Sequence, residues 1–456
     1  MPNRFILLGC LLVAMLCVFA VPFPDGAVAL AVLTGISVPT ILLLRHLTDE
    51  KNFITSVFLI GLVARIAFGL VVHYYDLRLF FGEDSLVYHD NGVAMYNVLM
   101  GISSPTERLL YYSDAFRGVG WGMNYILGSI YLVLGVNIFA SQSIFGYIGA
   151  LIAPLVYFCS LRVFNNSNVA KFASVGIAVF PPFVIWSGQL LKDGVIIFLI
   201  VAVMTLVFRL RERIDWIGLV LMGLALFGLL SMRFYIFYIT LVAVVGSFII
   251  AYSNSTKAIL RNTVALALIT VILSYFGVGE QAEYDLTTFA NLDRINQSRF
   301  DLARSADSGF GEDWDVSTTT GALLTVPRGF MYLMLAPYPW HATNLRQAIT
   351  IPDVLVWWAM LPFLWIGLIY TIRNRLRPAF PILLFSLVLT IAYTIFQGNV
   401  GTAYRQRTQI QVFLFILIAA GWQVYKENKE NKRMIKAAER ARLRQHFERR
   451  AVQQQN

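Results

Sequence analysis

The sequence predicts an all-α polytopic membrane protein of about twelve transmembrane helices, with external juxtamembrane helices. Three observations carry that prediction. Hydrophobic residues make up 58% of the 456 residues and charged residues only 14%, with a mean hydropathy of +0.66, well above the range of soluble chains. Apolar runs near the length of about 20 residues that crosses a bilayer recur from end to end. Lys and Arg concentrate in alternate short connections, the pattern by which cytoplasmic loops retain positive charge.

In chain order, the expected spans cover roughly 4–21, 26–45, 53–74, 141–162, 168–187, 191–209, 214–231, 235–253, 262–277, 351–372, 379–397 and 408–425. The first run, "FILLGCLLVAMLCVFAV", has the length of a signal peptide but lacks a small-x-small cleavage site, and a second run follows "PFPDG"; it reads as a span. Cys10, Cys17 and Cys159 lie inside apolar runs without metal or disulfide spacing and read as small buried hydrophobes. The basic connections are "LLRHLTDEK", "LRVFNNSNVAK", "RLRER", "STKAILR", "RNRLRP" and the tail from "KENKENKRMIKAAERARLR". Placed in the cytoplasm, they alternate across the spans and put both termini there. Counting "WGMNYILGSIYLVLGVN" (121–137) as a span breaks that alternation; short and Gly-interrupted, it reads as a juxtamembrane or re-entrant element. The expected division is a transmembrane domain over 1–425, with external loops 75–140 and 278–350, and a basic cytoplasmic tail over 426–456.

Most of the net charge of +10 sits in that tail and the basic connections. Anionic membrane lipids are its expected partners, and no nucleic acid is. Other cations stand on the side the charge rule disfavours: Lys192 in "SGQLLKDGV", Arg233 in "LLSMRFYIF", and Arg405 and Arg407 in "GNVGTAYRQRTQ". Each alone is explained by snorkelling to headgroups or by a neighbouring acid. Four on one face point instead to a phosphate or pyrophosphate at the outer boundary, whose oxygens forked guanidinium donors suit. Asp193 reads either as the local partner of Lys192 and a helix-start charge, or as one of two acids that hold a divalent cation or divide acceptor activation from phosphate handling.

The stretch "FFGEDSLVYHDNGVAMY" (80–96) gathers Glu83, Asp84, His89 and Asp90 in an otherwise apolar chain. Taken alone, Glu83 and Asp84 read as N-cap and first-turn acids of a helix beginning near Ser85. Facing external arginines, they read as carboxylates that take a proton from an acceptor hydroxyl. His89 reads as a polar loop contact, since His341 is the one other histidine of the external loops and lies far away in sequence. In loop 278–350, Glu312, Asp313 and Asp315 lack the full calcium-loop pattern and read as a solvated acidic turn. Tyr332, Tyr338 and Trp340 read as an interfacial aromatic belt, with sugar stacking as an additional role.

The acidic pair early in a long external loop, followed at helical spacing by Tyr88, His89, Ala94 and Tyr96 and then by a short apolar stretch, resembles the GT-C superfamily of integral-membrane glycosyltransferases. "PPFVIWSGQLLKDGVIIFLI" resembles the second-loop region of bacterial phospholipid-carrier-dependent members, and "GNVGTAYRQRTQIQVFLFILIAAGW" is similar to the ending of bacterial membrane proteins of that group. The resemblance implies an inverting transfer from a polyprenyl-phosphate-linked sugar to a glycan, lipid or protein acceptor at the outer face of a bacterial cytoplasmic membrane. It assigns Asp84 as the catalytic first-loop acid with Glu83 as the neighbour that shares its role, Asp193 as the supporting second-loop acid, and Mg or Mn as a cofactor of Asp84 and Asp193, with Tyr88 and His89 in support. Lys192 before Asp193, the lack of an Asp-x-Asp triplet and the lack of a soluble domain after the last expected span depart from the pattern; they leave metal dependence and acceptor class open. Two rivals stand beside this reading. One is a polysaccharide polymerase or ligase using pyrophosphate-linked lipid glycans, in which the arginines dominate. The other is a lipid-linked saccharide transporter, against which the lack of an internal repeat speaks.

Overall fold

The computed structural model describes residues 4–105, 108, 120–250, 256–275, 278–279, 291–304, 308–342 and 344–455. Among these, all regular structure is helical, apart from an isolated antiparallel bridge between Gly309 and Asn399. Seven helices are long and apolar enough to cross a membrane, and a bent pair makes an eighth. The chain is a multi-pass helical membrane protein.

The amino-terminal helices α1 (Arg4–Phe19), α2 (Asp25–His46) and α3 (Lys51–Tyr74) pack together. Phe5, Leu8, Leu12 and Phe19 face outward from α1, an arrangement suited to lipid tails and unfavourable in water. After the short α4 (Arg78–Phe81), α5 (Asp84–Leu99) and α6 (Gly122–Leu134) form an antiparallel hairpin. Its helices come so close that a Cβ on Gly92 would meet Leu127 Cβ at 2.7 Å. The stretch 121–137 is thus a helix of 13 residues laid on α5, below spanning length; residues 106–107 and 109–119 of the same loop lie outside the described set.

Next come α7 (Ile138–Phe164), α8 (Ser167–Val179) and α9 (Pro181–Ser187). The last two meet at 54°, and the cause is local. A continuous helix would pair the N–H groups of residues 181 and 182 with the carbonyls of Ile177 and Ala178. Both positions are proline, so the donors are missing. Arg65 on α3, wholly buried, supplies them: Nη2 donates to Ile177 O at 3.2 Å and Nη1 to Ala178 O at 3.1 Å. Its Nε donates to Ser187 Oγ at 2.7 Å, which fixes the far end of α9.

Helices α10 (Lys192–Glu212), α11 (Trp216–Met232), α12 (Phe234–Ile250) and α13 (Thr256–Tyr275) follow. The expected spans 4–21, 214–231 and 235–253 correspond to the shorter apolar helices α1, α11 and α12. Span 262–277 falls on α13, with residues 276–277 outside the described set. Loop 278–350, expected as one extramembrane segment, contains α14 (Leu292–Arg304) and α15 (Thr319–Leu335). Pro327, Arg328 and a threonine-rich start hide α15 from a hydropathy reading, yet it packs on α17 (Leu376–Phe396) and α18 (Val400–Gln455). The long α16 (Leu345–Asn374) precedes α17.

At the centre runs α18, in contact with α8, α10, α15, α16 and α17 and buried from Ile410 through Ala420 apart from Leu414. Beyond Trp422 it continues as the basic tail, exposed from Tyr425 to Arg442. Several basic connections gather at one end of the bundle. There Lys171 Nζ meets Glu50 at 2.6 Å, Arg162 meets Glu212, Arg209 forks onto Asp215 at 2.8 and 3.0 Å, and Arg211 reaches Arg377 O at 3.5 Å. Side chains across most of "STKAILR" are not among those described.

Candidate active site at the start of the central helix

The opposite end of α18 is fixed by the turn before it. The backbone N–H of Phe310 donates to Gly398 O at 2.8 Å and that of Val400 to Ser308 O at 3.0 Å. Asn399 Oδ1 accepts from Gly401 N and from Ser308 Oγ, each at 2.8 Å, an N-cap arrangement. Loop 308–316 is itself held by buried Arg299, whose Nη1 donates to Gly311 O at 2.6 Å while the guanidinium lies 4.7 Å from the Trp314 ring. The position of Arg405, one turn into α18, follows from this clamp.

Arg405 joins two acids from distant parts of the chain. Its Nε donates to Asp193 Oδ2 at 2.7 Å, with Nη2 2.5 Å from the same oxygen. Its Nη1 donates to Asp84 Oδ2 at 2.6 Å. The side chain of Asp193 is fully buried in the first turn of α10, whereas that of Asp84 is 52% exposed at the start of α5. Arg233, between α11 and α12, brings Nη2 to 3.7 Å from Asp193 Oδ1. Lys192 Nζ lies 5.7 Å from the Tyr88 ring centroid. Burial, reinforced by the carboxylates of Asp84 and Asp193, pushes the Tyr88 hydroxyl up to about 12, so it is protonated at neutral pH. Two carboxylates therefore face three cations, Arg405, Arg233 and Lys192, an excess of one positive charge. A buried aspartate demands such company, because an uncompensated charge removed from water is costly.

The cluster opens into a cleft of about 740 Å³ whose walls include Phe80, Asp84, Trp186, Asn399, Tyr404 and Arg405. The guanidinium of Arg405 lies 5.5 Å from the Trp186 ring centroid, and Tyr404 OH donates to buried Asp353 at 2.8 Å. Trp186 and Tyr404 were not singled out by sequence reasoning, though each lies inside a stretch that was. A second cleft, of about 470 Å³, lies between α1 and α3 and is lined by apolar and aromatic residues such as Leu16, Leu70 and Tyr75, without charged groups for chemistry.

Of the residues expected at a site, Asp84, Asp193, Lys192, Arg233, Arg405 and Tyr88 come together. Arg407 does not join them. Two residues beyond Arg405 it points to another side of α18, wholly buried, where Nη1 donates to the carbonyls of Met334 and Ala336, each at 2.9 Å. It thereby satisfies the open C-terminus of α15, together with Trp357 Nε1, which donates to Met334 O at 2.7 Å. Glu83 stands exposed before α5, on the wall of the same cleft as Asp84, and its side chain makes no capping bond. His89 turns into the α5–α6 hairpin, its Nδ1 2.7 Å from Tyr131 OH; burial holds its ring below the ordinary histidine value. Glu312 and Asp315 are exposed; Glu312 pairs at 3.8 Å with Arg304 and Asp315 accepts from Ser317 N at 2.8 Å.

Asp84 and Asp193 do not fit a divalent cation in this arrangement. Arg405 already lies between them, and among the described residues no group of three or more His, Cys, Asp or Glu side chains gathers as ligands. Comparison of the chain with protein-family models, curated proteins and solved structures finds no match in any of the three.

Proposed function

We propose that the chain is a membrane glycosyltransferase of the GT-C type, transferring a sugar from a polyprenyl-phosphate carrier to an acceptor hydroxyl at the outer face of a bacterial cytoplasmic membrane. The observation that carries this reading is the meeting of Asp84 and Arg405 in one cleft at the mouth of the bundle. Transfer needs two opposed groups. A carboxylate accepts the proton of the attacking hydroxyl as its oxygen bonds to the anomeric carbon. Cations receive the negative charge that appears on the phosphate oxygen as the old carbon–oxygen bond breaks and its electron pair departs with the carrier. Asp84, half-exposed, takes the first role; Arg405, with Arg233 and Lys192 behind it, takes the second. Trp186, on the wall of the cleft, offers an aromatic face on which a sugar ring can stack. No metal enters this scheme.

In this reading α1, α11, α12 and α13 join the eight longer spans in a bundle of about twelve, with both termini and the basic tail cytoplasmic. The excess of cations over acids also favours a second reading, a polymerase or ligase acting on pyrophosphate-linked glycans, in which Asp84 is dispensable. Mass spectrometry of lipids that co-purify with the protein tests the first proposal. A polyprenyl phosphate or its glycosyl derivative is expected on the wild type and lost from Arg405→Ala. A pyrophosphate-linked glycan favours the second reading, and a wild type carrying neither contradicts both.

A further inference from the structure

The contact that defines the site also closes it. The three nitrogens of Arg405 are placed differently: Nε donates to Asp193, buried behind the guanidinium, and Nη2 lies beside the same carboxylate, while Nη1 donates to Asp84 at the rim. Asp193 comes from the first turn of a membrane-length helix and is wholly buried, so its hold on Arg405 is fixed. Asp84 is the exposed partner, at the beginning of a helix with open solvent on one side. While Asp84 Oδ2 accepts from Arg405 Nη1, that oxygen is not offered to an acceptor hydroxyl. An anionic ligand that approaches Nη1 meets that carboxylate there as a rival acceptor and as a like charge.

We infer that Asp84 is the resident occupant of a phosphate subsite on Arg405, and that a phosphate monoester or diester entering the cleft takes its place. The exchange replaces one oxygen acceptor on Nη1 by another, so no charged donor is left unmatched. It releases Asp84 Oδ2 from Arg405 when phosphate is present. The consequence is an order of events: the phosphate-bearing substrate binds first, and the acceptor hydroxyl meets an active base only afterwards. Without the carrier, Asp84 stays tied and water is not activated against an empty site. This inference rests on the proposed function for the meaning of the released carboxylate, but the exchange itself is a binding property.

Binding of farnesyl monophosphate and of inorganic phosphate to the purified full-length protein in nanodiscs, free of native carrier, tests it. Removing the competitor in Asp84→Asn is expected to tighten farnesyl monophosphate by about threefold or more, with Asp84→Ala repeating the result without the amide. Arg405→Lys is expected to weaken it about tenfold, and Asp84→Asn added to Arg405→Lys to bring no further tightening, the non-additivity of two groups sharing one contact. Unchanged or weaker binding in both Asp84 variants, each folded by thermal unfolding, overturns the exchange. Tightening seen for inorganic phosphate and not for farnesyl monophosphate keeps the exchange and removes the lipid carrier. Tightening in a protein that transfers no sugar from any polyprenyl-phosphate donor likewise keeps it and defeats the glycosyltransferase reading.

Discussion

Arg405 and Arg407 stand two apart in "YRQR" and have opposite surroundings. One faces two carboxylates beside a cleft; the other is enclosed among carbonyls at the end of α15 and the rings of Tyr404 and Trp357. On a helix, neighbours two apart lie on different faces, and the sequence pattern alone gave no means to choose which arginine faces the acids. Substitution separates them. Arg407→Met should lower stability, since each buried carbonyl left without a donor costs about 1–3 kcal/mol, while the folded fraction keeps its affinity for phosphate. Arg405→Ala should lose that affinity. Thermal unfolding in detergent alongside phosphate binding distinguishes the two, and a stable Arg407→Met protein that no longer binds would move Arg407 back into the site. Asp84 was legible because an acid pair in a polar pocket of an oily chain invites a reason; Asp193 was legible through its basic neighbour. Trp186 was not, because an aromatic residue near a span end has a common interfacial explanation.

At the scale of elements, the break between α8 and α9 sets the height of Trp186, Lys192 and Asp193, and it depends on a residue far away in sequence. Arg65 in "GLVARIAFGL" and the pair in "FPPF" are each visible as oddities, an arginine inside an apolar run and two prolines inside another. Their connection is not visible, because nothing local says that the donors missing at 181 and 182 are replaced from α3. Arg65→Met should be strongly destabilising. Restoring the backbone donors by Pro181→Ala with Pro182→Ala should recover part of that loss, a coupling that thermal midpoints of the four combinations would reveal; equal losses with and without the prolines would refute the pairing. The turn before α18 offers a milder case. Asn399→Ala removes the cap and the Ser308 contact and should cost about 0.5–2 kcal/mol, read as a lower midpoint.

For the whole molecule, the alternation of basic connections was readable because topology follows charge at loop scale. The count of spans was less so: α1, α11 and α12, of 16, 17 and 17 residues, are shorter than the roughly 20 that cross a bilayer, and α15 is a helix within what reads as a loop. Orientation can be measured directly. On a background lacking Cys10, Cys17 and Cys159, a cysteine at exposed Trp340 should react with an impermeant thiol reagent added to intact cells, and one at exposed Asn374 should react only after lysis; the reverse pattern inverts the topology. The central claim is that Asp84 performs proton transfer while Arg405 holds phosphate, and its most direct test is one paired measurement on purified Asp84→Asn. Sugar transfer from a polyprenyl-phosphate donor should fall by about 10²–10⁴-fold, the ordinary contribution of a general base, while donor affinity is not lost and, through the exchange at Arg405, improves. An Asp84→Asn enzyme that transfers at the parental rate, or that loses donor affinity together with transfer, contradicts the account.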